Sequence, residues 1–196
     1  MFLKKNNLIF FFVFILLFFN KISLGNEIKL PKIIKYLNSL DNFSATFLQS
    51  FDNEISEGKL FIGSKRVRLD YFYPSKILII LDEDKAMYYN YDLNEDEFFN
   101  PKNTSAWFFF EIFKSSDFFL DSAINLKNKN IIINKKGYLE NNSYDLSIIL
   151  ENDPIVLRKI KLNFENSAYI ISIFNHKFDE EYGTKFFKLI NPDLLN

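Results

Sequence analysis

From Phe43 onward the chain runs with a period of two, and this limits its fold more than any other feature. Phe43, Ala45, Phe47, Gln49 and Phe51 fall on one side, and Ser44, Thr46, Leu48 and Ser50 on the other. Side chains that alternate this way belong to a strand with one buried face. Arg66 to Tyr73 repeats the pattern, with Val67, Leu69, Tyr71 and Tyr73 opposed to Arg66, Arg68 and Asp70. After Lys76 every residue to Leu81 is apolar, so this strand should be covered on both faces. Shorter or later strands are predicted over 59–62, 86–91, 97–99, 131–134, 144–150, 156–164, 168–178 and 185–189. Residues 52–58, Pro74-Ser75, Gly137, Asn141-Asn142, Asp153-Pro154, Asn166 and Gly183 punctuate them as turns.

Two stretches break the β pattern. After Pro31, residues Ile33, Ile34, Leu37 and Leu40 recur at helical spacing, and Asp41-Asn42 ends the run. Thr104-Ser105 are good helix caps, and Ala106 to Phe113 follows with Glu111 as its one charge. A helix apolar nearly all round is a buried one, or one lying against a greasy surface. Ser116 to Leu126 reads as a second short helix. The expected class is α+β: one curved antiparallel sheet, an incomplete β-barrel, with an N-terminal helix and a central helical insert on its concave side.

The first residues follow a different rule. Lys4 and Lys5 precede an unbroken apolar run of 12 residues, Leu8 to Phe19. That is shorter than the roughly 20 residues a membrane-spanning helix needs, and it fits the core of a secretory signal. Ser23 and Gly25 are small, which places the expected cleavage after Gly25 and one domain over 26–196. Removal of 1–25 takes away Lys4, Lys5 and Lys21 but no acid, so the formal charge moves from −1 to −4. An acidic chain is a poor partner for nucleic acid, which demands basic surface.

Composition then narrows the chemistry. There is no Cys, one His and five Gly. These counts leave out disulfides, thiolate metal sites, Cys nucleophiles, lipidated cysteines and sites built from several His. Gly58-x4-Gly63-Ser64-Lys65 has a phosphate-loop spacing, but its Lys and Ser are in the wrong order and it lies between strands. His176 has Asp179 nearby but no Ser on a strand–turn–helix elbow. The acidic clusters at 82–84, 95–97 and 179–181 lie in turns, and no calcium loop frames them. No enzyme, metal or cofactor is expected. The aromatic load remains: of 25 Phe, seven lie in the signal and 18 in the rest, with ten Tyr.

One ordered series carries a resemblance. It runs Phe43-x-Ala45-x-Phe47-x-Gln49, Gly58-x-Leu60-x-Ile62, Arg68-x-Asp70-Tyr71-x-x-Pro74, Asp82 and Tyr91-Asp92. With Asn103-Thr104 before an aromatic helix, and Phe186 to Pro192 as a closing strand and turn, it resembles the periplasmic outer-membrane lipoprotein carrier family (LolA) over residues 31–192. The resemblance implies a soluble, monomeric, non-enzymatic periplasmic carrier. It would take acylated lipoproteins from an ATP-driven (ABC-type) release complex of the inner membrane and deliver them to an outer-membrane lipoprotein receptor. The acyl cavity would be lined by Phe43, Phe47, Phe51, Leu60, Ile62, Val67, Leu69 and Tyr71, with Trp107, Phe109, Phe110 and Phe113 on the lid helix. The chain departs from the family at Gly63-Ser64-Lys65-Arg66, where many members have an Arg-Pro pair. The Arg of that pair is implicated in latching the lid, so either Arg66 or Arg68 takes its place or the latch works differently. Two alternatives stay open: a lipid-binding or lipoprotein-sensing module of the same fold, and a small outer-membrane barrel. Alternation also leaves open which strand face is concave.

Overall fold

The computed structural model describes residues 30–195. The predicted signal and its cleavage site lie outside the described residues. Helix α1 spans Leu30–Asn38 and buries Ile33 and Leu37. Six strands follow: β1 (Phe43–Phe51), β2 (Glu54–Ile62), β3 (Val67–Tyr73), β4 (Ile77–Leu81), β5 (Ala86–Asn90) and β6 (Glu95–Phe99). Helix α2 spans Ala106–Lys114 between two single 3-10 turns. Five more strands complete the chain: β7 (Ala123–Lys127), β8 (Asn130–Leu139), β9 (Asn142–Asn152), β10 (Ile155–Phe164) and β11 (Ser167–Lys177).

All eleven strands form one sheet in the order β6-β5-β4-β3-β2-β1-β11-β10-β9-β8-β7. Every neighbouring pair is antiparallel. Two meanders therefore meet at β1 and β11, and β6 and β7 are the free edges. The sheet is open, as an α+β curved sheet requires. A membrane barrel must close, because a bilayer cannot satisfy free edges. No helix among the described residues is long and apolar enough to cross a membrane.

Tight turns set the register. Asp52-Asn53, Asn128-Lys129 and Glu165-Asn166 all hold positive φ and join paired strands through two-residue loops. Such loops match the twist of the strands they join. Among the described residues, six of the eleven non-glycine residues with positive φ are Asn, and no glycine holds one. Asn thus fills the left-handed positions that Gly takes in most chains. Gly58 serves close approach instead. It pairs with Phe47, and a Cβ there would come within 2.5 Å of the Phe47 ring and 2.6 Å of the Asp70 carbonyl.

Five expectations change. The turn predicted at 52–58 shrinks to Asp52-Asn53, because residues 54–58 pair with β1 as part of β2. The acidic cluster 95–97 lies not in a turn but in edge strand β6, whose unpaired side leaves its charges in water. Residues 116–126 are not a helix: a 3-10 turn at Ser116–Phe119 leads into edge strand β7. That strand pairs on one side only, so its short alternation of Ile124 and Leu126 gives a faint signal. Residues 185–189 form turns, not a strand. Gly137 does not break the chain but lies inside β8.

The two sheet faces are covered differently. The inner face, defined by the helices, carries one continuous core from Phe43, Leu60, Val67 and Leu81 through to Ile148, Leu162 and Ile173, closed by residues of both helices. On the outer face Leu78, Ile80, Met87 and Tyr89 form a second cluster with Leu189 of the C-terminal segment. The doubly apolar strand at 77–81 is therefore covered on both sides, as its sequence demands.

Candidate binding face beneath the helical lid

The connection between β6 and β7 leads from one free edge of the sheet to the other. Helix α2 lies on this path, so its position over the inner face follows from topology. Asn100 caps the 3-10 turn by accepting from the Lys102 amide at 2.9 Å. The Thr104 hydroxyl accepts from the Ala106 amide at 3.2 Å and starts α2. Phe108, Phe110, Ile112 and Phe113 are buried. Trp107 and Phe109 are partly buried against the same core.

The predicted lining residues divide into two groups. Phe43, Phe47, Leu60, Ile62, Val67 and Leu69 are fully buried under the helices. Phe51 and Tyr71 are half-buried. Phe51 stacks on Tyr169 with centroids 4.7 Å apart. Tyr71 meets the Phe47 ring edge-on at 5.0 Å and donates to Gln49 Oε1 at 2.9 Å. Burial pushes the Tyr71 phenol well above its ordinary range. Cover thus fades along β1, from buried Phe43 and Phe47 to half-buried Gln49 and Phe51. At the same end of the sheet lies an open depression of about 540 Å³ bounded by Gly137, Tyr144 and Phe164. The rings of Tyr144 and Phe164 touch Phe108 of α2, at 4.8 and 5.4 Å.

Sequence reasoning missed Phe108 and Ile112, which are only 1% and 2% exposed. In an all-apolar helix no periodic signal separates the deepest residues from the rest. It also missed Lys114 in the last turn. The Lys114 ammonium donates to Asp41 Oδ1 and to the Gly63 carbonyl, and its side chain is only 8% exposed. A cation also suits the C-terminal end of a helix. This bond ties α2 to the loops after α1 and β2.

The candidate latch arginines face the other way. Arg68 Nη1 donates to the Phe186 carbonyl at 2.6 Å, and its guanidinium lies 4.1 Å from the Phe186 ring centre. Arg66 Nη1 donates to the Phe187 carbonyl at 2.9 Å, while its Nε pairs with Asp82. Both hold the C-terminal segment on the outer face and neither bonds α2. The reason is parity: Arg68 alternates with inward Val67 and Leu69, so it must point outward.

Helix α1 is anchored through a bulge. The register of β9 and β10 slips between Leu157 and Lys159. The Leu157 amide then donates to the Tyr36 hydroxyl at 2.8 Å, and its carbonyl meets His176 Nε2 at 2.7 Å. Burial lowers the His176 pKa, which suits a structural role. On α2, burial raises the Glu111 carboxyl, and Glu83 adds to the rise.

No family model matches the chain, and no curated protein matches it. Solved structures do. An uncharacterised conserved protein from Thermus thermophilus is similar at 8% identity with a TM-score of 0.53, covering 83% of this chain and 93% of that one. A DUF1329 family protein from Desulfovibrio piger gives 8% identity and a TM-score of 0.47, over 81% and 94%. MucB of the Pseudomonas aeruginosa MucA/MucB complex gives 9% and 0.48, over 81% of this chain and 59% of that one. At these identities the Thermus likeness shows a shared fold and nothing more.

Proposed function

We propose that the protein is an exported carrier of acyl chains that takes lipoproteins from the inner membrane and passes them to an outer-membrane receptor, without catalysis. One observation carries the reading. An almost wholly apolar helix lies over a continuous apolar face, and the polar bonds tying its last turn to the rest of the chain come from Lys114. A permanent core needs no such economy. A cover that acyl chains displace does.

The magnitudes agree. Burying a large apolar side chain is worth about 1.5–3 kcal/mol, so the four buried on α2 hold it with roughly 6–12 kcal/mol. Three acyl chains of ~16 carbons, at about 0.8 kcal/mol per CH₂, would cost roughly 40 kcal/mol to expose. Acyl chains already lifted from the bilayer by the ATP-driven complex therefore outcompete the helix for the inner face, and lid opening becomes a population shift driven by cargo. When the cargo leaves, the helix covers the face again.

The test is a release assay. Membrane-retained lipoproteins are incubated with the protein and an ATP-driven extraction complex, and the supernatant is probed for lipoprotein. Appearance of lipoprotein in the supernatant is expected. Its absence, where an established carrier works, overturns the proposal. Uptake of a fluorescent fatty acid without such release would leave a lipid-binding module. Lys114→Met should speed fatty-acid uptake, since it removes the latch and leaves the apolar surfaces intact.

A further inference from the structure

The outer face is only half covered. The C-terminal segment lies over its β2 to β5 part, where Phe61 meets Phe186 and Leu189 packs on the second cluster. Where β1, β11 and β10 meet, three aliphatic side chains stand in water: Leu48, Ile55 and Ile170, exposed by 41%, 52% and 39%. The register brings them together. Ser50 pairs with both Ile55 and Ile170, and Leu48 lies two residues along β1 on the same face. Lys161 pairs directly with Ile170, and Lys159 sits opposite Ser172 beside it. Neither lysine, nor Lys59 on β2, forms an ion pair among the described residues. Glu57 lies opposite Leu48, and Asp70, which Arg68 pairs, lies opposite Lys59 at the margin.

We propose that this patch docks on an anionic lipid surface. The three aliphatic tips stand on exposed sheet face, with a depression at Thr46, Lys59 and Phe61 only at the margin, so the patch fits a plane rather than a protruding side chain. Phe174 and Tyr73 border it, opposite Thr46 and Glu57, but its centre of Leu48, Ile55, Ile170, Lys159 and Lys161 holds no Arg and no aromatic residue, the types that anchor protein–protein contacts, and lysine is depleted in such contacts. Aliphatic tips between lysines suit a membrane surface: the tips enter the headgroup boundary and the ammonium groups meet lipid phosphates. The chain as a whole carries a net charge of −1, so a local cluster of unpaired lysines is a segregated feature. Docking here would leave the helical lid facing away from the bilayer. The proposal is independent of acyl carriage, because vesicle binding is measured without cargo.

The experiment uses protein recovered from the exported fraction, with parent and variants compared in the same form. Co-sedimentation is measured with phosphatidylcholine vesicles, with and without about a third phosphatidylglycerol. Each lysine near an anionic surface contributes about 1 kcal/mol, so the Lys159→Gln, Lys161→Gln double variant should weaken binding to anionic vesicles by more than ~10-fold. Leu48→Ser should weaken it further, and Lys127→Gln with Lys129→Gln on the β7–β8 turn should not. No binding of the parent to anionic vesicles overturns the proposal. So does an equal loss in the Lys127, Lys129 control, and an acidic protein partner would then be the occupant to seek.

Discussion

The sheet has two covers, and they are built on opposite plans. The inner cover, α2, meets the sheet through Phe108, Phe110, Ile112 and Phe113, and its last turn is tied down by Lys114. The outer cover, the C-terminal segment, is pinned by directional bonds along its length. Tyr182 donates to the Phe43 carbonyl at 2.7 Å, and Arg68 and Arg66 hold the carbonyls of Phe186 and Phe187. Asn191 donates to Asp96 at 3.0 Å, and Tyr89 reaches Asp193 at 2.8 Å. Apolar contact is strong but has no direction, so an acyl chain can replace it. A hydrogen bond needs a partner of the right geometry, which an acyl chain lacks. On the proposed carrier function, this difference makes the inner cover the movable one.

The largest test of this contrast removes Phe108. Phe108→Ala should destabilise the closed lid by about 3–5 kcal/mol, the usual cost of emptying a buried aromatic site. Hydrogen exchange should then rise across residues 106–114 while the amides of β1 and β11 stay protected, as for a unit that opens locally. If exchange rises equally through the sheet, the lid is core and not cover. Next in size is the outer cover. Arg68→Ala loses a charge-assisted bond to the Phe186 carbonyl and the contact with its ring. A loss of about 1.5–3 kcal/mol is expected. Limited proteolysis should release the chain beyond Tyr182, with fatty-acid uptake unchanged. A change in uptake instead would mean that the two covers are coupled.

The smallest effect concerns pH. Burial raises the Glu111 carboxyl above its ordinary value of 4.5, with Glu83 adding to the rise and Ser115 and Lys102 opposing it. A carboxyl raised in the folded state binds protons that the unfolded chain does not hold. Its contribution is therefore full below pH 4.5 and is lost as pH climbs through the raised value. The lid should loosen on going from acid to neutral pH, read as faster exchange of the α2 amides. Glu111→Gln should abolish that dependence. A dependence that persists in the variant belongs to another group.

Much of the fold was legible because its signals are local. Alternation located most strands, and Asn at the turns marked several boundaries. Residues 77–81 announced two covered faces by being apolar throughout. The inner lining on β1, β2 and β3 follows from strand parity once the helices mark one face. What stayed hidden is non-local. Phe186-Phe187 looked like strand residues, yet they pack as rings on the back of the sheet, with Phe186 at 5.0 Å from Phe61. Arg68 was visible as an outward charge, but its partner lies 118 residues away. Lys114 resembled any lysine in a last turn, and its partners are 73 and 51 residues distant.

Residue order thus specified the parts: strands by parity, turns by Asn and Asp, and a helix too apolar to stand in water. Those properties depend on neighbours a few positions apart. Tertiary contact assigned the roles. Pairing of β1 with β11 joined two meanders into one sheet and left its free edges on opposite sides. The segment linking those edges then became the inner cover, and the chain beyond β11 became the outer one. Such pairings follow from burying the most apolar surface at once, a sum over the whole chain that no local pattern records.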